Sequence, residues 1–469
     1  MTKDLRTFLR QLDEAEDNTF VHVKTQVDPK YGLSAVLRRL DADGVPPVVY
    51  FESVAGSAIP VLSNLFANPK ALALALDTER HRLGEEFANR CQTPIKPQSV
   101  ETGPVKQVIY RGDEADLTTL PQIVHSVGDA GVYITAAVAI TRDPDSGVYN
   151  AGIYRLQIVG PRKMRINPGP GSDLRRIVLR NEELGQPTPT AICIGHHPAL
   201  HFASQSRTPP QLSELDFTGG LLGEPLRMVP AETLNLEVLA DSEIVIEAQI
   251  LSGTREDEGP FIELGQYKNP GEYNPVVEVT AMTMRNDPIF HDIYSAHADH
   301  NNAGAAAREA ELLLRARSVC PAVTTVHLPA PGATRFTAYV ALDEPTPGMA
   351  RNVALQLLST HPALKQVVLV NTDIDIYYEP DVQWAIASRV RADEDIIVMP
   401  GFFSSGLDPA GHSIHSRTER GSVNAKWIID ATAQPGSHQA DRRDLPREMW
   451  QQLDLSKYLG NSSELTRVW

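Results

Sequence analysis

The sequence predicts a mixed α+β and α/β chain in three successive regions: an N-terminal α/β cap, a central β-rich body and a C-terminal α/β domain. Three observations lead there. Strand-like runs separated by turn residues dominate the middle of the chain. Strands and helices alternate after about residue 321. The first hundred residues mix amphipathic helix patterns with a short apolar strand. Composition shifts place the bounds at 1–104, 105–302, a connecting helix at 303–320, and 321–469.

Residues 3–16 and 30–42 read as helices, the second with Leu33, Val36, Leu37 and Leu40 on one face. A strand follows at Pro47–Phe51, then a helix-rich stretch to about Arg90. Gln92–Lys106 holds three prolines and little periodicity, which marks a boundary. Val132–Thr141 and Val148–Val159 flank the turn Arg142-Asp143-Pro144-Asp145-Ser146-Gly147 and read as two arms of a hairpin. Further strands are expected at Thr190–Ile194, Glu243–Leu251 and Val276–Met284. The alanine-rich stretch Ala303–Ala316 reads as a helix leading out of this body. Beyond it, strands at Val323–Leu328, Phe336–Ala341 and Gln366–Val370 alternate with helices at Gly348–Ser359 and Glu379–Arg391.

A chain of 469 residues with 42% hydrophobic and 22% charged residues can bury large cores. No stretch approaches the roughly 18 apolar residues of a membrane span, so no membrane partner is expected. The N-terminus, MTKDLRTFLRQLDE, has an amphipathic helix pattern rather than that of a signal peptide. Three widely spaced cysteines, Cys91, Cys193 and Cys320, argue against a disulfide framework and fit a reducing, cytoplasmic setting. The formal charge of -16 argues against nucleic acid, which needs a basic face. An acidic protein acting on an anion must therefore concentrate its cations locally.

Two segments are rich in chemistry. In Glu256-Asp257-Glu258-Gly259-Pro260-Phe261-Ile262-Glu263, glycine and proline set the chain direction, so Glu258 and Glu263 could enter one pocket. Two carboxylates in different surroundings suit acid/base work; the alternative is a solvated acidic turn. In Tyr149-Asn150-Ala151-Gly152-Ile153-Tyr154-Arg155, an arginine within an apolar strand calls for an anion. The alternative is a strand-edge arginine facing water. On an ideal strand Asn150 and Arg155 face opposite sides, so they share a site only if the strand starts late or bulges. The histidines His196, His197 and His201, and His291, His297 and His300, lack the glutamate of a zinc-helix motif. Asp373-Ile374-Asp375 reads as turn or cap residues, and Asn167–Ser172 lacks the lysine of a phosphate loop.

Taken in order, these segments resemble the UbiD family of prenylated-FMN-dependent decarboxylases. The family's Asn-x-x-x-x-Arg is similar to Asn150–Arg155, and its Glu-Gly-Pro-Phe/Tyr-x-Glu/Asp to Glu258–Glu263. The runs DIDIYYEPDVQWAIASRVR and AKWIIDAT resemble further family segments, so the likeness spans residues 135 to about 432. The resemblance implies a central split β-barrel flavin-binding domain and a C-terminal α/β oligomerisation domain, forming homo-oligomers, either dimers or hexamers. It implies reversible loss of CO2 from an aromatic, heteroaromatic or α,β-unsaturated carboxylic acid. A flavin prenyltransferase would supply the prenylated FMN.

Carried over by position, the resemblance makes Arg155, Glu258 and Glu263 the catalytic set. Glu263 donates the proton, and Arg155, held by Glu258, meets the substrate carboxylate. Asn150 and Glu214 match ligands of a divalent metal, Mn or Mg, that clamps the cofactor phosphate, with K as an additional candidate. The third ligand is a histidine in much of the family; an ungapped alignment puts Asp173 there, with Ser172 beside it. Thr135, Ile153, Ala203, Ser204 and Gln205 match stretches that line the flavin. Ile289–His297 is similar to the segment that closes over the substrate, which places Ile293 and His297, or His300, at the pocket. Two other readings stand beside this one: a flavin-independent metal hydrolase or lyase, and a non-catalytic cofactor-binding subunit. The C-terminal stretch Leu445–Trp469 would pack on a neighbouring subunit or fold back on its own domain.

Overall fold

The computed structural model describes residues 2–15, 19–42, 46–415 and 420–433, together with positions 445, 449 and 453. Met1–Thr432 form one compact unit, and Ala433–Trp469 a second. In the second, Leu445, Met449 and Leu453 are exposed; Trp450, Tyr458 and Trp469 lie outside the described residues.

The chain opens with the helix Leu5–Glu14, started by a capping box in which Asp4 and Thr7 exchange 2.8 Å hydrogen bonds. Its apolar stripe, Leu5, Phe8, Leu9 and Leu12, is buried. The helix Gly32–Ala42 buries Leu33 and Leu37 fully, with Val36 and Leu40 packing on the same core. A four-stranded sheet follows, in the order Phe20–Val23, Val48–Phe51, Val61–Ser63, Phe290–His291. Its last strand comes from far along the chain, so the Ile289–His297 segment is anchored to the cap.

The central body is a nine-stranded sheet. Its ordered path runs Tyr133–Ile134, Leu156–Gly160, Lys163–Ile166, Glu272–Met284, Ile244–Glu258, Thr188–Ile194, Val138–Arg142 and Tyr149–Ile153, with Val108–Arg111 also paired to Glu272–Met284. Alternate side chains feed two cores, the arrangement expected of a sheet covered on both faces. Val138, Ile140, Ala191, Cys193 and Val245 join one core with the helices Pro198–Ala203 and Glu214–Leu222. Ala137, Ala139, Ile192, Ile194, Ile244 and Ile246 join the other.

The hairpin expected from sequence is present between Val138–Arg142 and Tyr149–Ile153, but neither arm is continuous. The first is interrupted after Ile134 and the second after Ile153. Tyr149–Ile153 lies at one end of the sheet path, and Leu156–Gly160 next to the other end. Only Tyr154 and Arg155 connect them. Three peptide steps span at most about 11 Å, so the covalent chain draws the two ends of the sheet together. Arg155 stands in that crossing.

The last region is a six-stranded sheet, ordered Val323–His327, Thr337–Leu342, Gln366–Asn371, Arg420–Asp430, Ile396–Ser404, with His412–His415 also paired to Arg420–Asp430. Lys426 is buried and donates to Leu358 O (2.6 Å) and His361 O (3.3 Å), the carbonyl end of the helix Met349–Thr360. Its motif thus caps a helix. Asp373 pairs with Arg389, and Asp375 accepts from the Tyr377 amide at 3.0 Å, so this acidic pair serves a turn. No described helix is long and apolar enough to cross a membrane.

Candidate active site

Glu258 closes the long strand Ile244–Glu258, and the chain then turns back through Gly259-Pro260. Gly259 and Gly271 have φ of +98° and +103°, and a Cβ on Gly271 would lie 2.7 Å from Glu258 O. Only glycine fits two backbones so close in that conformation. Two contacts hold the turn to the loop before the strand Tyr133–Ile134: Ala130 N–H to Pro260 O at 2.7 Å, and Ile262 N–H to Asp129 Oδ1 at 2.9 Å. Glu263 follows the short strand Phe261–Ile262 and so returns toward Glu258.

Arg155 meets both acids. Its Nε and Nη2 donate to the two oxygens of Glu258 at 2.9 and 2.8 Å, a bidentate grip, while Nη1 pairs with Glu263. Asn274 and Asn167 also donate to Glu258, at 3.0 and 3.2 Å. The guanidinium lies 4.8 Å from the Phe261 ring centre, and Tyr133 packs on Phe261 with centroids 4.7 Å apart. The Glu258 side chain is fully buried, whereas Glu263 keeps 17% exposure. Burial alone would raise the Glu258 pKa, but the hydrogen bonds and charge of Arg155 hold it below the ordinary value. Burial works against the Arg155 charge as well, and the two glutamates outweigh it. The interruption after Ile153 also answers the register problem: Asn150 stays in the strand while Arg155 leaves it. Of the neighbouring acids, Glu256 instead pairs at the rim with Lys163 and Arg165.

Asn150 and Glu214 come together on the other side of Tyr154. Glu214 accepts from Ala151 N–H and Thr208 Oγ1, both at 2.9 Å, and both donors are neutral. Burial pushes its carboxyl up. The buried Nδ2 of Asn150 has no partner. Tyr154 lies over Gly152, where a Cβ would sit 2.6 Å from its ring, and its hydroxyl lies near Asn150 and Ser172. Ser172 caps the helix Asp173–Glu183. Asp173 itself is 62% exposed and pairs with Arg176 at 3.4 Å, though its charge is felt at Glu214. A buried carboxylate whose two donors are both neutral suits a cation, which the Asn150 side chain could meet only through its amide oxygen.

The Thr135 hydroxyl donates to Asp292 Oδ1 at 2.9 Å and accepts from Ile293 N–H at 3.0 Å, which fixes the buried Ile293 segment to the sheet. Ile153 packs at the edge of the first core, with Ala203 inside it. Ser204 caps the helix Pro198–Ala203 and bonds Leu200 O at 2.6 Å, and Gln205 accepts from Arg308 at 3.4 Å. His297 pairs with Asp41 of the cap and stacks on Tyr294 at 4.6 Å. His300 accepts from Ala296 N–H at 3.2 Å and lies near Arg155, Arg308 and Arg335. His196, His197 and His201 are buried, and desolvation pushes them down to about 4, 3 and 4. Among the described residues no three His, Cys, Asp or Glu side chains group as a metal centre.

Sequence reasoning missed Tyr133, Asn167 and Asn274 around Glu258, and the arginines Arg308 and Arg335. The amides and the tyrosine carry no local signature. Arg308 carried a faint one, as a charge amid the alanines of Ala305–Ala310.

Known proteins share the sequence pattern and the fold of this chain. Residues 12–91, 97–298 and 301–431 match the N-terminal, Rift-related and C-terminal domain models of 3-octaprenyl-4-hydroxybenzoate carboxy-lyase. The anhydromevalonate phosphate decarboxylase of Methanothermobacter thermautotrophicus is 32% identical over 92% of this chain and 96% of its own. The UbiD-class enzyme HmfF from Pelotomaculum thermopropionicum, solved with FMN, superposes with a TM-score of 0.89 at 36% identity, covering 97% of this chain and all of HmfF. Apo 3,4-dihydroxybenzoic acid decarboxylase of Klebsiella pneumoniae gives 0.88 at 25% identity, covering 98% of this chain and all of that one. With all three domain models matched in order and near-complete coverage of relatives above 30% identity, the chain belongs to the UbiD family of carboxy-lyases.

Proposed function

We propose that this chain catalyses the reversible, non-oxidative decarboxylation of an aromatic, heteroaromatic or α,β-unsaturated carboxylic acid, with prenylated FMN and a divalent metal bound. The observation that carries this reading is the convergence of Arg155, Glu258 and Glu263 from distant parts of the chain into one ion-paired cluster over Phe261.

Loss of CO2 from an sp2 carbon leaves a carbanion that side chains cannot stabilise; prenylated FMN, when bound, supplies the electron sink. The protein's part is positioning and proton transfer. A guanidinium has five N–H groups, and Glu258 and Glu263 engage Arg155 through Nε, Nη2 and Nη1. The outer Nη1–Nη2 edge of the guanidinium, part of which Glu263 occupies, suits a bidentate hold on the substrate carboxylate. An arriving carboxylate competes with Glu263 for Arg155, which frees Glu263 to carry a proton. Glu263 delivers that proton to the carbon that CO2 has left, and removes it in the reverse direction. Glu258, held ionised, keeps the guanidinium plane fixed throughout.

Asn150 and Glu214 would hold a Mn or Mg ion, with Asp173 as a further oxygen ligand, K as an additional cation and Ser172 beside them. The metal would neutralise the cofactor phosphate against these acids. Thr135, Ile153, Ala203, Ser204 and Gln205 would line the flavin, and Ile293 and His297 the substrate side. The central sheet, its ends joined only by Tyr154-Arg155, supports the split-barrel reading. The matched domain models meet at 91–97 and at 298–301, which supports a division close to 302 and one somewhat before 104, while position 320 falls inside the C-terminal match. A dimeric HmfF form among the similar structures supports a homo-oligomer, and three free cysteines suit the cytoplasm.

The test is the absorption spectrum of protein co-expressed with a flavin prenyltransferase, followed by CO2 release from a panel of small acids. Flavin absorption with CO2 release is expected. Protein without flavin favours the metal hydrolase, and flavin without turnover favours the non-catalytic subunit.

A further inference from the structure

The turn that carries Glu263 and the segment Ile289–His297 are bonded to one and the same loop, and a buried histidine stands at its head. Asp292 is fully buried, and its carboxylate gathers three side chains from distant parts of the chain. Oδ1 accepts from Thr135 Oγ1 at 2.9 Å and lies 3.0 Å from His125 Nε2, while Oδ2 accepts from Ser63 Oγ at 3.1 Å. Against a carboxylate, the histidine Nε2 is the donor. Thr135 Oγ1 in turn accepts from Ile293 N–H at 3.0 Å. The His125 ring also lies against Tyr294, with centroids 5.5 Å apart.

From His125 the chain runs directly to the proton-donor turn. Asp129 N–H donates to Ser126 O at 3.1 Å and Ser126 N–H to Asp129 Oδ2 at 2.9 Å, which closes residues 126–129 into a turn. The other oxygen of Asp129 accepts from Ile262 N–H at 2.9 Å, and Ala130 N–H donates to Pro260 O at 2.7 Å. A Cβ on Gly128 would lie 2.5 Å from Ile262 Cδ1, so loop and turn are in direct contact. Glu263 is the next residue. On its upstream side the loop is pinned to the cap, where Val124 exchanges backbone hydrogen bonds with Pro29 and Tyr31 at 3.0 and 2.9 Å. One end of this loop thus holds the neighbour of Glu263, and the other, through His125, the neighbour of Ile293.

Ser34 Oγ lies 3.1 Å from His125 Nδ1, so Ser34, His125 and Asp292 stand in the order of a nucleophilic triad. Ser34 and His125 are each only 5% exposed, and Asp292 is shared with two further hydroxyls. The arrangement therefore joins parts of the chain rather than presenting a nucleophile to a substrate.

We propose that His125 is a positioning residue for proton transfer: bonded to Asp292 on one side and continuous with the loop His125–Ala130 on the other, it sets Glu263 against the segment that carries Ile293. This rests on the decarboxylase reading above and adds to it a group that acts through other residues.

The test is hydrogen exchange at the Ile262 amide of the flavin-loaded protein, a site bonded to Asp129 and not to His125. His125→Phe keeps a ring beside Tyr294 and removes both hydrogen bonds; His125→Gln restores an N–H for Asp292. Exchange at Ile262 is expected to rise at least about tenfold in His125→Phe and to stay within about threefold of wild type in His125→Gln, with the amide of the fully buried Ile192 unchanged in both. Turnover is read on cinnamate, furan-2-carboxylate and pyrrole-2-carboxylate. On any of these that wild type decarboxylates, kcat of His125→Phe should fall at least about tenfold with KM within about threefold. A smaller rise at Ile262 in His125→Phe would overturn the proposal, as would equal acceleration in both variants. An equal rise at Ile192 would also overturn it, because His125 would then support the fold at large, and so would an unchanged kcat. If wild type releases CO2 from none of the three acids while Ile262 responds as expected, the decarboxylase reading fails and the coupling through His125 stands.

Discussion

Replacing Glu258 by glutamine tests how much of the chemistry depends on holding Arg155 still. The carboxylate accepts two charge-assisted hydrogen bonds from Arg155, at 2.9 and 2.8 Å, with no exposure to water. Such a bond contributes about 1.5–3 kcal/mol. Glutamine keeps one acceptor oxygen and turns an NH2 group toward the second donor, so one bond is lost and the other loses its charge. Asn274 and Asn167, which both donate to Glu258, must also adjust. Together these effects amount to about 2–4 kcal/mol. If they fall on the orientation of the guanidinium in the transition state, they lower kcat/KM by about 30- to 1,000-fold at about 1.4 kcal/mol per decade. The assay is initial-rate CO2 release, normalised to bound flavin from the absorption spectrum. Flavin occupancy is expected to stay near wild type, because the proposed cofactor residues Asn150, Glu214 and Ser172 make no contact with Glu258. A loss of less than about threefold would refute the argument that Glu258 positions Arg155.

Two further outcomes follow from the same coordinates. Gly271→Ala would place a Cβ 2.7 Å from Glu258 O at a φ of +103°, with backbone on both sides and no flexible side chain to yield. Strain of about 1–3 kcal/mol is expected, read as a lower thermal midpoint together with reduced turnover; an unchanged midpoint would contradict the close-packed turn. In the buried Glu309–Arg80 pair, burial would raise the Glu309 pKa, but Arg80 and His327 bring it from 4.5 down to about 2. A carboxylate depressed in this way contributes stability that is complete above about pH 4.5 and is lost as the pH falls toward 2. That contribution is about 3 kcal/mol at about 1.36 kcal/mol per decade. Wild type should therefore exceed Glu309→Gln in denaturation midpoint at pH 7, with the gap closing in acid; a gap independent of pH would sink the assignment.

The order of elements is legible as local pattern, and the grouping of Arg155 with Glu258 and Glu263 through the resemblance to UbiD segments. Glu258-Gly259-Pro260 announces a turn, and an arginine in an apolar strand announces an anion. What local pattern does not encode is the order of strands in the sheet. Residues 148–159 hold no proline and no turn pair, so the run reads as one strand; the interruption at Tyr154-Arg155 falls where the chain passes from one end of the sheet path to the other. The same limit hid the antiparallel pair Ile396–Ser404 and Arg420–Asp430, whose first strand alternates only weakly, with Ile396 and Val398 exposed. Lys426 looked like part of a signature, and only packing reveals it as the cap of a helix. Arg335 escaped notice because nothing in its neighbourhood tells a surface arginine from a buried one, and Arg308 had only the alanines around it as a sign of burial. Asp173 aligned with a ligand position, yet its side chain points largely to water and to Arg176.

The most direct measurement of the proposed chemistry is CO2 release by flavin-loaded Glu263→Gln beside wild type. An acid that protonates the vacated carbon cannot be replaced by an amide of the same shape, so turnover should fall by at least about 1,000-fold with flavin absorption unchanged. Turnover at the wild-type rate in that variant would remove Glu263 from the reaction.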